Sequence, residues 1–197
     1  MNLVETGNIS VASLPLAEFR AHLRLGTGFG EDSLQDGVLE GFLRAAIAGI
    51  EAQIGKVLIA RDFVQTIDQW TGEAQHVLPM APVRLILQVA LRRSSGAEEV
   101  VAADRYWLQG DMHRPKLRSV GSCLPAVPEG GEALVSFTAG FGIWSDVPAD
   151  LQQAVFLLAA HYYEYRDETA LGRGCMPFGV TSLLDRFRPM RLGFWGL

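Results

Sequence analysis

Lysine is nearly missing from this 197-residue chain: Lys56 and Lys116 stand alone among seventeen bases, the other fifteen being arginine. Neither lysine sits in a Gly-rich loop, so there is no P-loop to cradle a nucleotide, and G-x-S-x-G and H-E-x-x-H are absent too. Cysteine is equally scarce. Cys123 and Cys175 lie far apart and outside any C-x-x-C spacing, which excludes a zinc-ligand pattern and a disulfide framework and fits two free thiols in a reducing compartment. Long hydrophobic runs are lacking as well. The longest, Ala154 to Ala160, falls far short of the roughly 20 residues needed to span a bilayer, so no membrane association is expected. The opening residues, MNLVETGNIS, combine no basic segment with an apolar one, and no secretory signal is expected.

What is present is a globular composition, 49% hydrophobic and 20% charged, long enough for one domain carrying an insertion. The net charge of −5 is unevenly spread. Residues 169–197 hold four arginines against Asp185 alone, leaving thirteen bases and 21 acids in the first 168 residues. An acidic body with a small basic tail is poorly suited to gripping nucleic acid, because phosphate binding needs a cationic surface. The arginine excess fits either fixed-geometry protein contacts or a GC-rich coding sequence.

Leu16, Phe19, Leu23 and Leu25 predict a short helix over Leu14 to Leu25, stopped by Gly26. The G-x-G-x-x-E that follows comes after a helix instead of a strand, so it reads as a turn and not a dinucleotide loop. Asp32 or Ser33 can cap a second helix ending at Ile54 with Gly55 as its stop. Its apolar stripe runs from Leu34 to Ile54. Beside that stripe, Gly37, Gly41, Ala45 and Gly49 recur every four residues, although each mid-helix glycine costs about 1 kcal/mol relative to alanine. The series fits a close approach of another element, either a subunit seam or a crossing within the chain.

From Arg61 the period becomes two. Residues 61–70, 83–91, 98–109, 114–120 and 133–141 read as strands of an antiparallel meander, with Ser94-Ser95-Gly96 as a hairpin turn. In the second, Val83, Leu85, Leu87, Val89 and Leu91 are expected to face the core. Helical spacing returns after Ser145 or Asp146 as cap, and Leu151, Ala154, Val155, Leu158, Tyr162 and Tyr165 line one face of a long helix near 148–167. The fold class is therefore α+β: a small helical bundle with an inserted antiparallel β meander and a C-terminal extension. One domain is expected over 1–168, helical at 13–55 and 147–168 with the insertion at about 60–142, followed by a docking extension at 169–197.

Chemistry is hard to find. His161 and Glu164 have the i, i+3 spacing of di-iron bundles, but in reversed order and only once. Catalytic, metal and cofactor residues are therefore expected to be none. The tyrosines of HYYEYRDE suit a helix that leaves the core and meets another surface.

The motifs FTAGFG, VPADLQQAVFLLAAHYYEYRDE and PFGVTSLLDRFRPMRL, in that order, resemble the head-to-tail connector (adaptor) proteins of long-tailed bacteriophages and gene transfer agents. LAEFRAHLRL and GKVLIARDFVQTIDQW extend the resemblance over nearly the whole chain, except residues 1–12 and the final GFWGL. It implies a structural, non-enzymatic homo-oligomeric ring, commonly of twelve copies, assembled in the bacterial cytoplasm and resident in the neck of the virion or particle. Its partners would be the portal protein and a neck stopper or tail-terminator protein, with DNA a non-specific passenger in the lumen. It also assigns portal contact to Pro177, Phe178, Gly179, Leu183, Leu184, Arg186, Phe187, Arg188 and Arg191. If the glycine series is a subunit seam instead of a crossing within the chain, that seam is expected to comprise Gly37, Gly41, Ala45, Gly49, Tyr162 and Tyr165. Two other readings are a small soluble enzyme or ligand-binding protein with a pocket near His161, Glu164 and Trp144, and a stopper or tail-completion protein.

Overall fold

The computed structural model describes residues 2–25, 32–165 and 176–188, with side chains from residue 35 onward in the second stretch. The chain divides into two compact units, Met1–Ile9 with Lys56–Gly142 and Ser10–Gly55 with Ile143–Leu197. Helices and antiparallel strands segregate between them, an α+β arrangement.

In the β unit, strands β1 (Asn2–Glu5), β2 (Arg61–Ile67), β4 (Val83–Arg92), β5 (Glu98–Val100) and β8 (Glu132–Ala139) form one sheet in the order β1-β2-β8-β4-β5. Strands β3 (Gln75–Val77), β6 (Tyr106–Gln109) and β7 (Lys116–Ser119) form a second, in the order β3-β7-β6. All these strand pairs are antiparallel. A simple meander is not what forms: β8, last in sequence, inserts between β2 and β4. It can do so because its alternate residues Ala133, Val135, Phe137 and Ala139 are all buried and complete the core face of both neighbours. Phe63 stacks on Phe137 across that seam with ring centres 5.8 Å apart.

The expected alternation along β4 fails in the middle. The register against β8 shifts between Val83 and Leu85 and again between Ile86 and Gln88, each shift adding one residue to β4. Such a β-bulge reverses which face later residues occupy. Leu85 and Leu87 are consequently 46% and 49% exposed, while Ile86 packs against the core. The single strand expected over 98–109 is broken by a 3-10 turn at Ala103–Arg105, so that β5 and β6 belong to different sheets. Arg93 and Ala97 close the hairpin foreseen at Ser94-Ser95-Gly96, with Gly96 at positive φ.

The helical unit contains α1 (Leu16–His22), α2 (Asp32–Ile54), α3 (Ala149–Glu164) and α4 (Phe178–Leu184). Helix α1 stops earlier than Gly26. Arg24 takes a left-handed φ of 56°, and the N–H groups of Arg24 and Leu25 bond back to Ala21 and Arg20, a C-terminal cap that usually uses glycine. In α2, Leu39, Leu43, Ala46, Ile47, Ile50 and Ile54 are buried as the stripe requires, and Gly55 ends the helix at φ 65°. Neither Ser145 nor Asp146 caps α3. Pro148 holds that position, while the Asp146 carboxylate accepts the Ile143 N–H at 3.1 Å in a preceding 3-10 turn. Leu151, Ala154, Val155, Leu158 and Ala159 of α3 are buried, and Phe156 stacks on Phe19 of α1 at 5.9 Å.

The FTAGFG motif owes its glycines to a close crossing inside the β unit. Gly140 has φ 128°, its N–H bonds to the Pro82 carbonyl, and the Gly142 carbonyl accepts from Ala60. A Cβ on Gly140 would lie 2.5 Å from the Ala60 Cα. Gly140→Ala therefore combines a disfavoured φ with a backbone clash, and a loss of roughly 2–4 kcal/mol is expected in equilibrium unfolding; a change below about 0.5 kcal/mol would contradict this reading of the motif.

Candidate assembly surfaces

The glycine series of α2 separates into two roles. Gly49 faces α3, where a Cβ would meet Leu158 and the Tyr162 hydroxyl at 3.7 Å. Gly37 and Gly41 have open space around them, and with exposed Ala45 they leave the outer side of α2 small and bare. Of the six residues assigned to the seam, Gly49 and Tyr162 thus meet each other within the chain. Gly37, Gly41 and Ala45 form an uncovered strip, and Tyr165 is exposed at the end of α3. Phe42 meets Tyr163 edge-on at 6.1 Å, so the tyrosine-rich end of α3 passes from packed to exposed within one turn.

Over residues 176–188 the expected docking extension is packed on the helical unit. Helix α4 packs on α3 with Val180 and Leu184 fully buried and Phe187 nearly so. Burying three such side chains is worth on the order of 5 kcal/mol, whereas the exposed Arg186–Asp150 pair at 3.0 Å adds at most about 1 kcal/mol. Apolar packing therefore holds this segment. Of the residues assigned to portal contact, Leu184 and Phe187 are spent on that core; Pro177, Leu183 and Arg188 are half-buried. Phe178, Gly179 and Arg186 point outward, Phe178 at 89% exposure. Arg191, along with Cys175, lies outside the described residues; Cys123 is a free, exposed thiol.

The residues weighed for chemistry come together only loosely. His161 packs against the Tyr165 ring at 4.7 Å and Glu164 is exposed; no hydrogen bond joins the two. Trp144 packs on Phe156 and borders a groove of about 690 Å³ that runs along Val11 to Glu18, lined by neither His161 nor Glu164. Among the described residues, no group of three or more His, Cys, Asp or Glu is placed to hold a metal ion, and no helix is long and apolar enough to cross a membrane.

Spacing along the chain does not reveal the titratable cluster in the β unit. Lys56 is buried with its Nζ 2.9 Å from His113 Nδ1; burial lowers its pKa, partly opposed by the Asp111 carboxylate. Asp111 accepts the N–H groups of Arg114 and His113 at 2.7 Å, which holds its carboxyl below the usual range. His76 is buried against Trp70, accepts the Thr71 N–H at Nδ1, and has its pKa pushed down to about 4 by burial.

No protein-family model matches the chain, and no curated protein matches it. Solved structures do. A chain in the neck of an empty gene transfer agent particle, computed with C6 symmetry, is 46% identical over 98% of both chains with a TM-score of 0.89. This chain belongs to that neck family, the head-to-tail connectors of gene transfer agents. A second relative, a chain in the virion of a native gene transfer agent particle, is 45% identical with a TM-score of 0.85, again over 98% of each chain. A third, in the neck of a native particle computed with C12 symmetry, is 42% identical over 98% of each chain with a TM-score of 0.84. Membership in the neck family gives the chain a structural adaptor role, so its outward surfaces matter more than its cavities.

His76 offers a check on the core of the β unit. Its folded pKa of about 4 lies below the unfolded value near 6.5, so its neutral form stabilises the fold fully above pH 6.5 and that contribution fades as pH falls toward 4. Wild-type stability is expected to fall by about 2 kcal/mol between pH 6.5 and 5, measured by urea unfolding, with the fall largely absent in His76→Phe. An unchanged slope in the variant would show that His76 does not titrate as a buried group.

Proposed function

We propose that the chain is a non-enzymatic ring-forming adaptor, joining a portal to the next neck or tail protein and letting DNA pass through its lumen. The observation that carries this is the likeness to neck chains at up to 46% identity over 98% of both partners. The C6 and C12 symmetry of those necks supports rotational assembly, with a 12-fold ring as the specific reading. Assembly begins in the bacterial cytoplasm and ends in the neck of the particle.

The seam lies on the outer strip of α2. Gly37, Gly41 and Ala45 present backbone at a distance that a neighbour's side chains can reach, and a ring buries such a strip on every copy. Portal contact falls to the outward side of α4: Phe178 inserts as an apolar anchor, Gly179 keeps the approach open and Arg186 supplies a planar charged fork. Leu183, Leu184, Phe187 and Arg188 act there as the support that fixes α4 on α3, with Pro177 at its start. Arg191 continues the same basic segment in sequence.

Mixing the chain with its portal and counting copies by electron microscopy or mass photometry tests both surfaces. Gly41→Leu is expected to keep or raise the melting temperature, since leucine favours a helix by about 1 kcal/mol over glycine, yet to block rings. Phe178→Ala is expected to leave rings able to form while weakening portal binding at least about tenfold, a hot-spot loss. Normal rings from the first variant and normal portal affinity from the second would remove these assignments.

A further inference from the structure

The β unit holds nine bases and ten acids, and its cations are not treated alike. Three on or beside the five-stranded sheet find carboxylates, Arg61 with Glu5 at 2.9 Å, Arg92 with Glu132 at 2.6 Å and Arg93 with Glu99 at 3.6 Å, while Arg84 of β4 donates to the Phe141 carbonyl at 2.6 Å. Those around the three-stranded sheet do not. Among the described residues no ion pair engages Arg105, Arg114, Lys116 or Arg118.

Their placement is ordered. Leu117 is buried, so Lys116 and Arg118 of β7 project together from the opposite face, and exposed Arg114, just before the strand, borders the same concavity as Lys116. Gln75 of β3 accepts from Arg118 at 2.9 Å and from Lys116 at 3.3 Å, fixing both side chains without neutralising them. On the other side, Trp107 of β6 stands in register with Arg118 and is 47% exposed, and Gln109 stands in register with Lys116. A concavity of about 530 Å³ opens beside them, bordered by Thr71, Gln75, Gln109, Asp111, Arg114 and Lys116 among others. The one acid there, Asp111, is held ionised by two backbone N–H groups and sets one negative charge against the three cations.

The geometry points to this face as a binding site for single-stranded nucleic acid, with phosphates on the Arg114–Lys116–Arg118 track and an unstacked base on the Trp107 indole. A cationic track beside an exposed aromatic ring is the chemistry that single strands require. An acidic peptide is the other polyanion to weigh. It would bind most naturally by adding as a strand, but Lys116 and Arg118 lie on β7, the central strand, whose backbone is already paired on both sides. A ligand must therefore lie across the face, where the indole gives a base something to stack on. The site stands on the β unit alone and does not depend on the ring.

Fluorescence anisotropy with a labelled oligo-dT of about 20 nucleotides, its blunt duplex and poly-glutamate as probes tests the site on the full chain. Single-strand affinity is expected to exceed duplex affinity and to fall about 20-fold between 50 and 200 mM salt, the slope for three phosphate contacts. Trp107→Ala is expected to weaken it roughly 5- to 100-fold. Arg114→Gln combined with Lys116→Gln and Arg118→Gln should abolish it. Because the last two substitutions disturb the Gln75 bonds, the pair Trp107→Ala with Arg114→Gln is the control that leaves side-chain hydrogen bonds intact. No oligonucleotide binding, binding unaffected by Trp107→Ala, or preference for duplex or poly-glutamate would overturn the assignment.

Discussion

The contact between α2 and α3 is the constraint on which the helical unit rests. The chain leaves that unit after Gly55 and re-enters it at Ile143, so the bundle closes only if a helix far along the sequence finds the first one again. At Gly49, Leu158 and the Tyr162 hydroxyl stand 3.7 Å from where a Cβ would lie, close enough to touch a methyl without clashing, and Leu39, Leu43, Ile47 and Ile50 bury the stripe beside it. Once α3 is seated, its other sides are occupied in turn: Phe156 by Phe19 of α1, and the remainder by Val180, Leu184 and Phe187. A fully buried face on α2 and α3 leaves the opposite, small-residue side of α2 as surplus, and surplus of that kind is what a neighbouring copy can use.

The helices were legible because their buried stripes keep one period from end to end. Reading β4 was harder, since its composition alternates while its bulges do not follow the composition; nothing in Val83 to Leu91 marks the two points where the face reverses. The edge strand β1 was invisible for a related reason, because only Leu3 of its four residues is even partly buried. For the C-terminal segment the pattern Val180, Leu184, Phe187 was present, but an amphipathic stripe reads the same whether it meets its own bundle or a partner. Burial decided it. The glycine spacing on α2 pointed to a close approach without saying of what, and the assignment of portal contact near α4 came only through family resemblance, because small residues and an exposed phenylalanine carry no chemical signature.

Charge is handled differently in the two units. The helical unit carries eight bases and twelve acids, and arginines there are drawn into pairs such as Arg20 with Asp36 and Arg44 with Glu40. The β unit is nearly neutral, yet Arg105, Arg114, Lys116 and Arg118, which enter no ion pair among the described residues, gather around its three-stranded sheet. An acidic surface lets a polyanion slide past without a binding well, while a localised cationic track holds it.

Electron cryomicroscopy of the neck of particles carrying this chain tests the central claim most directly. Expected is a closed ring in which Gly37, Gly41 and Ala45 of each copy are buried against the next copy, while Gly49 stays packed on Leu158 of its own chain. A neck in which that side of α2 faces solvent or the lumen, with neighbours joined elsewhere, would contradict it.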